Sequence, residues 1–177
     1  MNRDETTSGA GVDGGGGLLV RPATATDAAA MAAIYNHAVV HSTATFDLEP
    51  ESVEERRAWL GAESTRLALV AEVAGRPVGW SSLARWSGRG AYDQTVEASV
   101  YVAPDAQRTG LGRALGAALV EGARALELHV LIAQICTEND GGLGLALALG
   151  YRPVGTLREV GCKFGRRLDV TICQLIL

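Results

Sequence analysis

The alternation of hydrophobic and polar residues predicts a chain of short strands and amphipathic helices from Leu18 to the C-terminus. Apolar residues recur at helical spacing after Thr24 or Thr26, either of which can cap a first helix. Ser52 and Glu55 form the pair expected of a capping box at the start of a second helix. The other predicted helices are Gly110–Leu126 and Asp140–Leu149. The predicted strands are Leu18–Arg21, Leu67–Val73, Val78–Leu83, Thr95–Val102, His129–Ile135, Tyr151–Leu157 and Leu168–Leu177.

The order of these elements predicts a mixed sheet. Leu67–Val73 and Val78–Leu83 are separated by Ala74-Gly75-Arg76-Pro77, a sequence typical of the turn in an antiparallel hairpin. The later strands alternate with helices, as in parallel crossover units. We therefore expect an α/β or α+β domain with a central sheet of about seven strands flanked by about four helices.

The N-terminal segment differs in composition from the rest of the chain. Residues 1–17 are polar and end in four glycines, so burial cannot offset the entropy lost on ordering them, and we expect a disordered tail. A phosphate-binding glycine loop would need a preceding strand, which the sequence does not predict there. No linker or repeat interrupts residues 18–177, which are predicted to form a single domain.

Composition and charge exclude several classes of protein. The 177 residues are 47% hydrophobic, which is enough for a buried core and excludes collagen-like, coiled-coil and wholly disordered chains. With 16 basic and 20 acidic residues, the sequence predicts no positive patch for a nucleic acid. The apolar run Leu143–Leu149 is too short to cross a bilayer, and a signal-peptide pattern is absent. We therefore expect a soluble cytoplasmic protein without a nucleic-acid or membrane partner.

The cysteines and histidines do not predict a metal site. The three cysteines match neither a zinc spacing nor a disulfide framework, and we interpret them as buried thiols. His37 and His41 are four residues apart on the first predicted helix, but no third ligand is evident. Lys163 is the only lysine among the 16 basic residues.

The most informative motif runs from the end of the strand Thr95–Val102 through a short polar turn into the helix that begins near Gly110. The first backbone N–H groups of a helix have no partner within it, so they can hold an anion together with the helix dipole. Gly110 and Gly112 permit close approach of a pyrophosphate, and Arg108 and Arg113 add positive charge. A Rossmann fingerprint would need a glycine at position 115, which is leucine. The alternative is a helix start whose glycines only permit tight packing.

The run Gln107-Arg108-Thr109-Gly110-Leu111-Gly112 resembles the coenzyme A pyrophosphate motif of the GNAT N-acetyltransferases. Further stretches resemble the branch of that superfamily that acetylates phosphinothricin, methionine sulfoximine and methionine sulfone. These stretches are Ile34–Val39, Thr95–Val102, Leu149–Tyr151 and Val160–Asp169. The resemblance implies a GNAT fold and acetyl-CoA as co-substrate.

The resemblance also implies a set of cofactor-binding residues. The strand before the motif would pair with the pantetheine arm of the cofactor, and the motif would hold its pyrophosphate. Asn139 matches a cofactor-binding asparagine of the family, although capping of the following helix would also explain it. The implied cofactor residues are Val100, Tyr101, Val102, Gln107, Arg108, Thr109, Gly110, Leu111, Gly112, Arg113, Asn139 and Ala148.

For catalysis, the resemblance implies that Glu97 removes a proton from the acceptor ammonium, directly or through water. The alternative for Glu97 is a solvated carboxylate at the sheet edge. Backbone N–H groups of Val100–Val102 would polarise the thioester. Arg89 could clamp an acceptor carboxylate, because a guanidinium binds it through two parallel hydrogen bonds. The implied acceptor residues are Ser87, Gly88, Arg89, Glu97, Ala98, Ser99, Lys163 and Phe164.

Three positions depart from the family pattern. Arg167 replaces an aromatic residue of close relatives, Gly142 replaces the usual serine, and Ala146 replaces a tyrosine or histidine. The tyrosine is the general acid in many GNAT enzymes, so the leaving thiolate must be protonated by water or another group. Tyr151 is near in sequence but belongs to the next predicted strand.

The sequence therefore predicts an acetyl-CoA-dependent N-acetyltransferase that acts on the free amine of a small amino acid or analogue. The acetyl group would pass by direct attack in a ternary complex, and the resemblance implies a homodimer. Two alternatives remain open: an acetyltransferase for another small amine, such as an aminoglycoside or polyamine, and a non-catalytic sensor that binds acyl-CoA.

Overall fold

The computed structural model describes residues 17–177. Apart from Gly17, the predicted N-terminal tail lies outside the described residues. The helices are α1 Ala28–His41, α2 Val53–Leu60, α3 Leu111–Ala125 and α4 Asp140–Ala148. The strands are β1 Leu18–Pro22, β2 Thr65–Val73, β3 Arg76–Arg85, β4 Thr95–Val102, β5 Val130–Cys136, β6 Arg152–Lys163 and β7 Arg166–Ile176.

The strands form one seven-stranded sheet in the order β1-β2-β3-β4-β5-β7-β6. The β4–β5 pair is parallel and the other neighbouring pairs are antiparallel, so the predicted mixed sheet is confirmed. The final strand β7 inserts between β5 and β6, which leaves β6 at the edge of the sheet. The predicted capping box at the start of α2 is also present, because the Ser52 hydroxyl accepts from the Glu55 backbone N–H at 3.1 Å.

The β2–β3 and β6–β7 hairpins differ from the sequence prediction. Ala74 and Gly75 alone make the β2–β3 turn, with φ values of 50° and 73°, and the predicted four-residue turn is wrong. Pro77 instead lies within β3 next to a bulge, a position at which a strand tolerates a proline. The strand predicted to end at Leu157 continues to Lys163, because β6 pairs with β7 up to that residue. The exposed residues of β6 do not alternate in polarity, so the hydrophobic pattern does not predict the part of the strand beyond Leu157.

Helices cover both faces of the sheet. On one face, α3 buries Leu115 and Leu119 against the strands, in agreement with its predicted apolar stripe. On the other face, α1 and α2 pack over β3, where Trp80 is 2% exposed and its indole N–H donates to the Met31 carbonyl at 3.1 Å. The core therefore consists of two clusters, one on each side of the sheet.

A partly buried ion pair connects the start of α1 to the first two strands. Asp27 is 4% exposed and accepts two hydrogen bonds of 2.8 Å from the Arg21 guanidinium, which also bonds Glu72. The backbone N–H of Thr24 donates to the same carboxylate at 2.7 Å. The Arg21 guanidinium lowers the pKa of Asp27 from 3.8 to about 2, aided by hydrogen bonds from the Thr24 backbone N–H and hydroxyl.

We expect Asp27→Asn to lower the free energy of unfolding at pH 7 by roughly 2 kcal/mol. Because the folded-state pKa is lowered, the carboxylate contributes stability above pH 3.8 and loses it as pH falls to about 2. Urea unfolding of both proteins between pH 7 and pH 2 measures the difference. The gap between the two proteins should close with acidification, and a constant gap would contradict the electrostatic origin.

Candidate active site

The two central strands separate at Glu97. Strands β4 and β5 are paired only from Thr95 to Glu97, opposite Val130 to Ile132. Strand β5 pairs with β7 along its whole length, and β4 pairs with β3 as far as Val102, so β4 and β5 diverge beyond Glu97. Within residues 17–177, no strand pairs with the β5-facing edge of β4 beyond Glu97. The backbone N–H and C=O groups of that edge are therefore available to a ligand.

A cavity of about 490 Å³, which we call the inner cavity, opens where the strands separate. Its walls combine aromatic rings with ionisable side chains, a composition typical of small-molecule sites. Among the acceptor residues predicted from the sequence, Glu97, Ala98 and Ser99 line it. The Glu97 carboxylate accepts a hydrogen bond of 3.0 Å from the Gln134 side-chain amide. Glu97 is half-buried and lies in the wall of this cavity, at the point where the edge of β4 becomes open.

A second cavity of about 570 Å³, the outer groove, runs from β4 to the start of α3. Val100, Tyr101 and Asn139 border both cavities, so the two are continuous. The loop before α3 contains two residues with positive φ, Arg108 at 61° and Gly110 at 91°. This conformation turns the chain sharply, and the first turn of α3 opens toward the outer groove.

Most of the predicted cofactor residues surround the outer groove. Those that line it are Val100, Tyr101, Val102, Gln107, Arg108, Gly110, Gly112, Arg113 and Asn139. Thr109 and Leu111 point elsewhere, because the Thr109 hydroxyl donates to the Ala106 carbonyl at 2.7 Å and Leu111 belongs to the core. Ala148, at the end of α4, is exposed and lines neither cavity.

Asn139 makes the helix cap that one interpretation from the sequence expects, and its cofactor-binding role stays a prediction. Its side-chain oxygen caps α4 by accepting from the Gly142 backbone N–H at 2.9 Å, and the residue also lies between the two cavities. A Cβ atom at Gly142 would lie 2.7 Å from the Asn139 side-chain nitrogen. The serine usual in the family would therefore require Asn139 to move.

The structure separates several predicted acceptor residues from the inner cavity. Ser87, Gly88 and Arg89 belong to the loop between β3 and β4, where Arg89 is exposed, and none of them lines the cavity. Lys163 is 3% exposed, and its ammonium donates to the Thr45 carbonyl at 2.7 Å. Because Thr45 lines the cavity, Lys163 supports the cavity wall from behind.

Lys163 is buried, whereas the side chain of the next residue, Phe164, is exposed. Burial lowers the pKa of Lys163, and the charge of Asp47 acts in the opposite direction. Phe164 is 53% exposed in the turn between β6 and β7, with its ring centroid 5.3 Å from the Lys163 ammonium. Arg167 is exposed on β7 and does not line the inner cavity.

Residues of the first two helices and the loop between them, which the sequence did not indicate, form one end of the inner cavity. Tyr35, Asp47 and Arg56 line it, together with the rings of Trp59 and Trp80. The Tyr35 hydroxyl donates to the Asp47 carboxylate at 2.6 Å; burial, assisted by this bond, raises the pKa of Tyr35. No local motif marks these residues, because they converge only when α1 and α2 pack on the sheet.

Ala146 of α4 and Tyr151, which directly precedes β6, both line the inner cavity. Tyr151 is 5% exposed, and its backbone N–H donates to the Ala146 carbonyl at 3.0 Å. Burial raises the pKa of the Tyr151 hydroxyl, so it remains protonated at neutral pH.

The part of the chain that the structure describes holds no group of three or more candidate metal ligands. His37 and His41 have ring centroids 4.6 Å apart and line the outer groove.

Within residues 17–177, no helix is long and apolar enough to cross a membrane.

The fold and the two cavities define an acetyltransferase of the GNAT class. The family model for the acetyltransferase (GNAT) domain matches residues 20–172, so the chain belongs to this family and the resemblance seen in the sequence is confirmed.

Several known proteins are similar over nearly the whole chain. An L-amino acid N-acyltransferase of Escherichia coli is 39% identical, covering 90% of this chain and 94% of that protein. An L-methionine sulfoximine/L-methionine sulfone acetyltransferase of Pseudomonas paraeruginosa is 38% identical, covering 89% and 94%. An acetyltransferase structure from Salmonella typhimurium with its cofactor acetyl-CoA superposes with a TM-score of 0.87 at 37% identity, covering 90% and 94%. The chain is therefore an N-acetyltransferase that uses acetyl-CoA.

We expect Arg113→Gln to raise the KM for acetyl-CoA about tenfold, because the guanidinium would lose a charge-assisted hydrogen bond to the pyrophosphate. Arg113 is exposed on the first turn of α3 and borders the outer groove. Steady-state kinetics with acetyl-CoA varied measures the change. Arg124→Gln, at the other end of α3, is the matched control, and an equal KM in both variants would contradict the assignment.

Proposed function

We propose that the protein transfers the acetyl group of acetyl-CoA to the free amine of a small amino acid or analogue, of the phosphinothricin, methionine sulfoximine or methionine sulfone type. The observation that carries the proposal is the gap beyond Glu97, which joins a carboxylate-lined cavity to a groove at a helix N-terminus. The names of the related enzymes support the same acceptor class.

In this proposal, both substrates are bound before reaction. The thioester lies along the open edge of β4, with the pyrophosphate at the start of α3, and the acceptor occupies the inner cavity. Placing the amine and the thioester side by side makes their reaction effectively intramolecular. The apolar rings at the far end of the cavity exclude water from the acceptor.

Glu97 acts as the base, directly or through a water molecule. It removes one proton from the acceptor ammonium, and the freed amine attacks the thioester carbonyl. Backbone N–H groups along Val100–Val102 stabilise the oxyanion that forms. Collapse of this intermediate breaks the C–S bond, and the second proton of the attacking nitrogen balances the departing thiolate. Because residue 146 is alanine, that proton reaches the sulfur through water or another group.

Release of the coenzyme A thiol tests the proposed function. The acceptor panel is methionine sulfone, methionine sulfoximine, phosphinothricin, the common amino acids, a polyamine and an aminoglycoside. We expect turnover with members of the amino-acid group and none with the last two. Turnover with a polyamine or aminoglycoside alone would favour the other small-amine alternative. Binding of acetyl-CoA without turnover of any acceptor would overturn the proposal in favour of the sensor.

We further propose that the protein forms a homodimer through β6. This edge strand is exposed along almost its whole length and carries Val154, Leu157 and Val160 at 58%, 46% and 54% exposure. An exposed apolar edge strand is prone to pair with another chain, and a second copy offers the same surface in return. The cytoplasmic location expected from the sequence stays a prediction.

We expect the wild-type protein to elute at twice the chain mass of 18.5 kDa, and Val160→Asp to shift it toward the monomer, because a buried unpaired carboxylate opposes association. Size-exclusion chromatography with light scattering measures the mass. Val40→Asp is the matched control, since Val40 is 49% exposed on α1. A monomeric wild-type protein would contradict the proposed dimer.

A further inference from the structure

Arg56 is a buried cation at the end of the inner cavity formed by α1 and α2. The residue is 4% exposed, and its guanidinium carbon lies 4.8 Å from the ring centroid of Tyr35. It lies 4.6 Å from the ring centroids of both Trp59 and Trp80. Aromatic faces attract a cation and hold its side chain in place, so the guanidinium is fixed before any ligand arrives.

The hydrogen bonds of Arg56 are incomplete. A guanidinium carries five N–H donors, and only its Nε–H is used, in a hydrogen bond to the Glu51 carboxylate at 2.5 Å. Among residues 17–177, no hydrogen-bond acceptor is found for the two terminal nitrogens of Arg56. The two terminal nitrogens are not fully buried, so they remain accessible from the cavity that Arg56 lines. The residue lines the inner cavity, so the cavity is where a ligand could supply these acceptors.

The charges in the inner cavity point to a ligand with both signs of charge. Within the described residues, Arg56 is the only arginine or lysine that lines the cavity, and Asp47, Glu51 and Glu97 are its carboxylates. Glu51 is already paired with Arg56, and Asp47 accepts from Tyr35. Glu97 likewise accepts from a neutral group, Gln134, so within the described residues neither Asp47 nor Glu97 is paired with a cation. Glu97 lies where β4 and β5 separate, beside the edge proposed for the thioester, so we assign it to the acceptor ammonium. The terminal nitrogens of Arg56 remain for an anion.

We propose that the terminal nitrogens of Arg56 bind the carboxylate of the acceptor. This assignment rests on the proposed function and specifies its substrate class: amines that carry a carboxylate, bound with the amine toward Glu97. The planar fork of a guanidinium matches the two oxygens of a carboxylate. Arg89, the candidate from the sequence, lies on an exposed loop outside the cavity.

The first test compares two acceptors in the wild-type enzyme. Methionine sulfone and its carboxamide differ only in the group that Arg56 would bind. We expect kcat/KM to be about 30-fold lower for the carboxamide, the effect of losing one hydrogen-bonded charge pair. If neither compound, nor any other amine of the panel, releases coenzyme A, the proposed function fails with this inference. If both are acetylated equally well, the function stands and the carboxylate assignment is overturned.

The second test replaces the arginine. Arg56→Met is expected to lower kcat/KM for methionine sulfone about 30-fold and to leave the value for the carboxamide nearly unchanged. Arg56→Lys, which keeps the charge and loses the fork, should give an intermediate loss. Arg57→Met is the matched control, because Arg57 is the next residue of α2, is 51% exposed and pairs with Glu54 at the helix surface.

Two further results decide the assignment even if the Arg56 variants unfold. Loss of the discrimination between the two acceptors in Arg89→Ala would overturn the assignment to Arg56. A crystal structure of the wild-type enzyme with methionine sulfone should place the acceptor carboxylate within hydrogen-bond distance of the terminal nitrogens of Arg56. A carboxylate bound elsewhere in the cavity would overturn it.

Discussion

Replacing Glu97 with glutamine is expected to lower kcat for amine acetylation by about 10²- to 10⁴-fold and to leave acetyl-CoA binding nearly unchanged. Glutamine has the same shape as glutamate, and its side-chain oxygen can still accept the hydrogen bond from Gln134. It cannot take a proton from an ammonium group, so the acceptor stays charged and does not attack the thioester. Thiol release at saturating concentrations of both substrates measures the loss.

The pH profile separates a catalytic role of Glu97 from a structural one. If Glu97 is the base, the acidic limb of the kcat/KM profile should disappear in Glu97→Gln. Glu121→Gln is the control, since Glu121 is 72% exposed on α3 and does not line either cavity. An unchanged kcat in Glu97→Gln would show that another group removes the proton.

Trp80→Ala is expected to lower the free energy of unfolding by about 3–5 kcal/mol, the cost of a large cavity in a packed core. Trp80 is 2% exposed, and its ring lies 4.7 Å from that of Tyr101 and 6.0 Å from that of Tyr35. The substitution also removes one of the rings around Arg56. For a domain of this size, we expect a fall in Tm of roughly 6–20 °C.

Trp80→Phe is the matched control for that prediction. Phenylalanine keeps an aromatic ring in the core but loses the indole N–H that donates to the Met31 carbonyl. Its cost should therefore be clearly smaller than that of alanine. Thermal and urea unfolding measure both variants, and a loss below about 1 kcal/mol in Trp80→Ala would contradict a role for Trp80 in organising the core.

Features that depend on neighbours in sequence were predicted well. The strand Thr95–Val102 has the predicted bounds, since its alternating β-branched residues produce a strong period of two. The capping box at Ser52 and the glycine at the start of α3 were also evident, because caps and tight turns depend on a few consecutive residues. The motif Gln107–Gly112 therefore indicates a cofactor site from its local sequence alone.

Features that depend on distant contacts were not predicted. Arg56 directly follows Glu55 of an ordinary capping box, and nothing in that local sequence distinguishes it from the exposed Arg57. The solitary Lys163 was assigned to the acceptor site by resemblance, whereas the structure directs its ammonium to the backbone of Thr45, 118 residues earlier. Such contacts depend on the packing of separate elements, which a local pattern does not record.

The sequence by itself determined the class of fold, the glycine at the start of α3 and the strand that carries Glu97, because hydrophobic period, capping and glycine placement act over a few residues. Only the tertiary structure decided where β4 and β5 separate, and hence where the two cavities meet. It also decided which arginine enters the inner cavity. Burial of that charge becomes tolerable only when three aromatic rings and Glu51, drawn from different elements, pack around it.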